Sequence, residues 1–329
     1  MRKALIQMHI AVLLWGFTGV LGRAITLDAP VLVWYRMLLT ALFMAVILFY
    51  RRQWVHIKTR HILQLVLVGC LMALHWVAFY GAIKFANISI ALVCLSTASI
   101  FTSLIDPLVN KGKYDLGEVL LGLLALAGVY LIYQFQQVYG WGIAFGVIAA
   151  ILSSVFTVLN KKIANEYPAR TMVFYEMAAG WVFLTALSPF VLHALPGMNL
   201  LPRQMSLTNL WANFPNGLTV TNNDWIWLVL MSLCCTVWAQ SLALNALKKL
   251  SSFTATLSVN LEPVYGILLA FWVFGENKEI IFMNGTHDLN KGFLGGMALI
   301  LLSVALQMAR MLKPTGTSPG YIKEKGGID

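Results

Sequence analysis

Ser251–Phe274, SSFTATLSVNLEPVYGILLAFWVF, is an apolar stretch of 24 residues with Asn260, Glu262 and Pro263 at its centre. A helix of this length, rising ~1.5 Å per residue, crosses a hydrocarbon layer of about 30 Å and places Glu262 near the midplane. A carboxylate at that depth costs about 2.5 kcal/mol or more, so it faces a bundle interior or a watery cavity and needs a partner. Pro263 has no N–H, so the Val259 carbonyl loses its helical partner in the same turn. Broken backbone is tolerated at that depth only against protein or water. Ser251, Ser258, Glu262 and Tyr265 fall on one stripe of the helix, which reads as a cavity wall. Glu262 is therefore either a structural acid bonded to a neighbouring helix or a ligand or proton site.

The rest of the chain has the same character. Charged residues make up 11% of it, against about 25% in a soluble protein, and hydrophobic residues 59%. This composition describes an all-α integral membrane protein. Ten helices are expected, at about 4–25, 31–50, 62–83, 88–109, 116–135, 140–161, 169–192, 225–247, 251–274 and 291–312. They leave the long connection 193–224 and a polar tail, 313–329, and no room for an extramembrane catalytic domain. The four cysteines, Cys70, Cys94, Cys234 and Cys235, lie in apolar spans without metal-ligand spacing and read as small packing residues. No metal or cofactor is expected. The net charge of +10 does not indicate nucleic acid, because the basic residues are scattered through short loops. With the N-terminus inside, 17 of the 23 Lys and Arg residues fall on the cytoplasmic side, 5 on the other, and Arg36 within helix 2. That bias places both termini in the cytoplasm of a multi-pass protein of the plasma (bacterial inner) membrane.

An internal repeat runs through the spans. At an offset of 164, Ala82-Ile83-Lys84 falls on Ala246-Leu247-Lys248, Ala91 on Ala255 and Ile100-Phe101 on Val264-Tyr265. Gly122 and Ala125-Leu126 match Gly295 and Ala298-Leu299 at 173, and Leu21, Ile25 and Pro30 match Leu159, Ile163 and Pro168 at 138. The units are 1–137 and 138–312, with five helices each. An odd number of helices inverts the second unit in the membrane, as in secondary transporters, whose sites lie at the repeat interface near the midplane.

Leu13-Leu14-Trp15-Gly16, Gly22-Arg23, Trp34-Tyr35-Arg36-Met37-Leu38-Leu39 and the tract from Ala246 through Leu261-Glu262-Pro263-Val264 to Gly275-Glu276 resemble the EamA-type drug/metabolite transporters. The resemblance covers about residues 8–312 and implies a permease that moves a small organic metabolite by alternating access. It implies no enzymatic activity, and neither substrate nor direction. Ser99 stands where the first repeat of that family often has proline, which leaves open whether helices 4 and 9 kink symmetrically. An intramembrane enzyme, a lipid-modifying protein and a non-transporting sensor are the alternatives.

Several further residues are candidates for substrate or coupling roles. Arg36, about 9 Å below the outer boundary, either snorkels to headgroups, pairs with Glu262 or reads an anionic substrate. His75 among aromatics is a bonded core residue or a ligand contact. Trp76 and Tyr80 share a ridge that, with Trp15, Tyr265 or Trp238, could wall a pocket, and Asn260 stands beside the acid. Glu176, matching Arg36 when two residues are inserted, is a gate partner or an acid solvated by cytoplasmic water. Asp106, on a stripe with Ser96, Ser99 and Ser103, is vestibule lining or a helix stop. A carboxyl group that takes a proton on one side and releases it on the other would couple transport to the pH gradient, and proton coupling through Glu262 is the expectation, with a Glu262–Arg36 pair that a cationic or zwitterionic substrate competes for as the alternative. Gly292-x-x-x-Gly296, Gly142-x-x-x-Gly146 and Gly117, Gly122 and Gly128 allow close helix approach, within a monomer or in a homodimer.

Overall fold

The computed structural model describes residues 1–86, 88–133, 140–194, 220–274 and 290–312. Most of the 193–224 connection, the tail 313–329 and Gly275-Glu276 lie outside them.

Every regular element among the described residues is a helix. The first repeat tract contains α1 (Arg2–Ala24), α2 (Ala29–Arg51), α3 (Thr59–Phe85), α4 (Ile88–Ser96), α5 (Ala98–Asn110) and α6 (Leu116–Tyr133). The second contains α7 (Gly140–Ile163), α8 (Ala169–Ala194), α9 (Asn222–Ser232), α10 (Ala239–Leu247), α11 (Ser252–Val259), α12 (Glu262–Phe274) and α13 (Lys291–Leu312). Where an expected end falls on described residues, it differs by no more than three residues. Nine segments are long and apolar enough to cross a membrane, and Leu116–Leu131 adds a shorter apolar run, all among the described residues.

Local chemistry sets the ends. Pro30 sits in the first turn of α2, where its missing N–H loses nothing. Thr221 and Ser251 cap α9 and α11, their hydroxyls accepting from Asp224 N and Thr254 N at 3.1 Å.

Three helices expected to be continuous are interrupted. The 225–247 helix contains a π-helical turn, Leu233–Trp238, between α9 and α10. The 251–274 helix breaks at Asn260-Leu261, immediately before Glu262 and Pro263. The 88–109 helix breaks at Thr97, although no proline is there.

α3 packs between α7 and α8, α6 lies along α13, and α1 along α10 and α12. The close approaches fall on glycines. A Cβ on Gly128 would lie 2.6 Å from Gly296 O, one on Gly142 2.5 Å from Ala86 Cβ, and one on Gly146 2.5 Å from Cys94 Cβ. These small-residue motifs are therefore used for packing within the chain. Large apolar side chains such as Tyr50, Leu116 and Trp272 point outward, as hydrocarbon as solvent permits.

Candidate functional site

Residues beside the two helix breaks, Leu95, Ala98, Val259 and Glu262, line a cavity of about 100 Å3 inside the bundle, together with Arg36, which the π turn holds. It reaches from Arg36 and Glu262 toward the end of the bundle where α1 begins and α7 and α10 finish, with Met8, Asn160 and Leu247 on its walls. Trp15, Trp76, Phe79 and Phe156 supply aromatic surface, and His75, Gln240 and Thr256 supply polar groups.

The π turn creates the station for the cation. A π turn departs from the regular α ladder, and here the Cys235 carbonyl is an acceptor for side chains from other helices. Trp15 Nε1 donates to it at 3.1 Å and Arg36 Nη2 at 3.3 Å. Arg36 Nε donates to Thr236 Oγ1 and Nη1 to Tyr80 Oη, both at 2.8 Å. Its guanidinium carbon stands 3.9 Å above the centre of the Trp76 ring. Only 1% of Arg36 is exposed, so it does not snorkel outward. A guanidinium has more N–H groups than these acceptors use, and no carboxylate pairs with it among the described residues.

Glu262 opens α12 and also lines the cavity, 5% exposed. It makes no ion pair with Arg36, although Arg36 is the charge that acts on it through space. The cavity face of this span is Ala255, Thr256, Val259 and Glu262. That corrects the expected stripe. Ser251 caps the helix, Ser258 donates to Thr254 O at 2.8 Å, and Tyr265 packs over Gly16 of α1. Asn260 is buried at the break, where its Nδ2 donates to Ser99 Oγ at 3.2 Å.

The other candidates separate. His75 lines the cavity and its Nδ1 donates to Ala149 O at 2.7 Å, so in the neutral ring Nε2 is the acceptor. Tyr80 is off the wall, holding Arg36 and donating to Met231 Sδ at 3.2 Å. Trp238 turns outward, 61% exposed. Glu176 is completely buried, which excludes solvation by cytoplasmic water in this conformation. Asp106 accepts from Asn110, Ser96, Ser99 and Ser103 donate to the carbonyls of Leu92, Ser96 and Ile100, and none of the four lines the cavity. Sequence reasoning missed Asn160 and Gln240, amides within otherwise apolar spans, although that polarity was the available signal. No group of three His, Cys, Asp or Glu fit to hold a metal occurs among the described residues.

Hydrogen bonds tie the elements together at the opposite end of the bundle. Asp224 accepts from Thr26 N at 2.8 Å and from the hydroxyls of Thr26 and Thr221 at 2.7 Å, and Lys84 Nζ donates to Ile25 O at 3.3 Å. At the cavity end, Lys161 Nζ joins α7 to the carbonyls of Leu247 and Leu250, both at 2.7 Å.

The chain matches the model of the EamA-like transporter family in two stretches, residues 2–134 and 140–286. It is 24% identical over 267 residues, 77% of this chain and 82% of the relative, to an uncharacterized transporter of Archaeoglobus fulgidus. To the uncharacterized transporter YxxF of Bacillus subtilis it is 22% identical over 315 residues, 93% of this chain and 90% of that one. A solved crystal structure shares the fold with a TM-score of 0.67 at 14% identity, covering 95% of this chain and 99% of its own.

Proposed function

The chain belongs to the EamA-like transporter family, and from that premise we propose that it is a secondary transporter moving a small organic solute through the central cavity by alternating access. The observation that carries the reading is the placement of Arg36 and Glu262, unpaired with each other, on one buried cavity at a helix break. A buried guanidinium without a carboxylate partner is suited to the anionic end of a solute, and the tryptophan and phenylalanine walls to an apolar body.

In this reading ten spans form two inverted five-helix units with both termini in the cytoplasm. The Asp224 and Lys84 ties then close the outer end, and the cavity extends toward the cytoplasm. Alternating access requires those ties to open while the Lys161 contacts and their neighbours close the inner end. Glu262 is the coupling acid. It takes a proton when the cavity faces outward and releases it when the cavity faces inward, so solute movement follows the pH gradient.

Counterflow and gradient-driven uptake in proteoliposomes, with labelled amino acids, nucleobases and aromatic amines as probes, test this. Glu262→Gln is expected to keep counterflow and to lose accumulation driven by a proton gradient. Undiminished accumulation with unchanged pH dependence in that variant would return Glu262 to a structural role. Absence of counterflow for every solute that binds would remove the transport reading itself.

A further inference from the structure

Two polar side chains on the cavity wall, His75 of α3 and Gln240 of α10, take no part in holding Arg36 or in proton coupling. The imidazole is fixed in place. Its Nδ1 donates to Ala149 O of α7 at 2.7 Å, Phe79 stacks beside the ring with centroids 6.3 Å apart, and Phe156 meets it edge-on at 5.4 Å. A backbone carbonyl only accepts, so the Nδ1 proton is set and the neutral ring presents a lone pair at Nε2. That nitrogen meets no protein group among the described residues. Nor is it enclosed, because His75 keeps 7% of its surface on a side chain that lines the cavity.

Gln240 extends the pattern from another helix. Its amide makes a single contact among the described residues, Nε2 to Met72 Sδ at 4.0 Å, and a thioether is too weak an acceptor to fix which end of the amide faces inward. Met72 and His75 lie one turn apart on the cavity face of α3, so the amide stands beside the imidazole. Buried polar groups are rarely left without partners, and on a cavity wall the missing partner is the cavity's occupant.

We propose that His75 and Gln240 form a donor-reading subsite, which takes an O–H or N–H group of the solute whose anionic end Arg36 holds. Trp76, next to His75 in the chain, carries the Arg36 guanidinium 3.9 Å above its ring, so the two parts of the site adjoin on one wall. A solute that satisfies both is a carboxylate bearing a hydroxyl or ring N–H on the same small body, with its flat face against Trp76, Phe79 and Phe156. This assignment rests on the cavity being the solute site and adds which solutes that site selects. An analogue without the donor is rejected because it leaves the buried acceptor unpaired.

Binding to the purified protein, measured by calorimetry and thermal shift with probes of matched shape, tests the subsite. One pair is para-hydroxyphenylacetate and para-methylphenylacetate; the other is indoleacetate and its benzothiophene analogue, in which sulfur replaces the ring N–H. The parent should bind the donor-bearing member of each pair about tenfold tighter. His75→Asn keeps a side-chain N–H for Ala149 O and loses the Nε2 acceptor, so this preference should disappear. His75→Gln, whose amide reaches the Nε2 position, should retain it, and Gln240→Met should reduce it. A parent that binds none of the four probes overturns the proposal. Equal affinity within each pair does the same, and is the result if only water meets these groups. So does a preference that survives His75→Asn intact. If His75→Asn does not fold, Gln240→Met decides, and an unchanged preference there is equally fatal. Binding is read without counterflow, so failure of the subsite and failure of the transport reading show themselves in different measurements.

Discussion

The two broken helices, α4–α5 and α11–α12, make the same interruption by different means. In α11–α12, Pro263 cannot donate to the Val259 carbonyl, and the break at Asn260-Leu261 is bridged by short bonds from Asn260 N to Leu257 O and Leu261 N to Ser258 O, both 3.1 Å. In α4–α5 no proline is involved. Thr97 donates to Cys94 O twice, from Oγ1 at 2.6 Å and from its backbone N at 3.0 Å, filling the carbonyl that the next helical N–H would use, and Ser154 Oγ of α7 donates to Ala98 O at 2.8 Å. Hydroxyl groups do in one helix what a missing N–H does in the other. At the offset of 164, Ala98 falls on Glu262 and Ser99 on Pro263. Both breaks therefore border the cavity, where one presents a carboxyl group and the other a methyl group.

Each broken helix is also seated on a neighbour's glycine, and substitution there should have the largest effect. A Cβ at Gly146 would meet Cys94 Cβ at 2.5 Å and one at Gly16 would meet Tyr265 Cβ at 2.8 Å. Neither obstacle is the flexible end of a side chain, so backbones must separate. Gly146→Ala and Gly16→Ala are expected to cost about 1–3 kcal/mol each, with Gly146→Ala the worse. Gly295→Ala, with nothing within 4 Å, should cost nothing measurable. Equilibrium unfolding in detergent measures all three, and a Gly295→Ala loss equal to the others would show that the seats are not special.

A smaller quantity, the coupling between the breaks, tests whether they act together. Asn260 Nδ2 donates to Ser99 Oγ, joining one break to the other inside the bundle. Asn260→Ala and Ser99→Ala should each destabilise by about 1–3 kcal/mol, because each leaves a buried polar group without its partner. The double variant should lose clearly less than the sum, with a coupling near ~1 kcal/mol in a double-mutant cycle. Strict additivity would mean that the breaks are held independently.

How far these features were legible depends on whether their cause lies in one helix or between two. Glu262 and Pro263 stood out because a charge and a missing N–H inside 24 apolar residues are expensive wherever the neighbours lie. That Arg36 lies inside a span was legible from the sequence, but its direction was not. It turns inward because the π turn at Leu233–Trp238 offers a carbonyl and a hydroxyl, and no periodicity in that segment announces the turn. The cavity face of the 251–274 span was misassigned for a related reason. Ser251 and Ser258 satisfy their hydroxyls within their own helix, so a polar stripe was not a wet one. Asn160 and Gln240 carried a weaker signal than a charge, because an uncharged amide is tolerated within a bundle.

The smallest effect concerns Thr97, the residue whose break had no sequence warning. Valine keeps the β-branched shape and removes only the hydroxyl that occupies Cys94 O. Cys94 O keeps the Thr97 N–H at 3.0 Å and has room for the Ala98 N–H in place of the hydroxyl, so Thr97→Val should remain within about 1 kcal/mol of the parent in stability. Its consequence is in motion. An uninterrupted 88–110 helix lacks the loose turn about which α4 and α5 can change their angle, and counterflow should slow while solute affinity holds. Ser154→Ala removes the second hydroxyl that draws on this break, the one donated by α7 to Ala98 O, and supplies the comparison. If the interruption belongs to Thr97, only Thr97→Val slows exchange. If packing against α7 imposes it, Ser154→Ala slows exchange and Thr97→Val leaves it untouched, which would locate the origin of the first break in the neighbouring helix and not in the broken one.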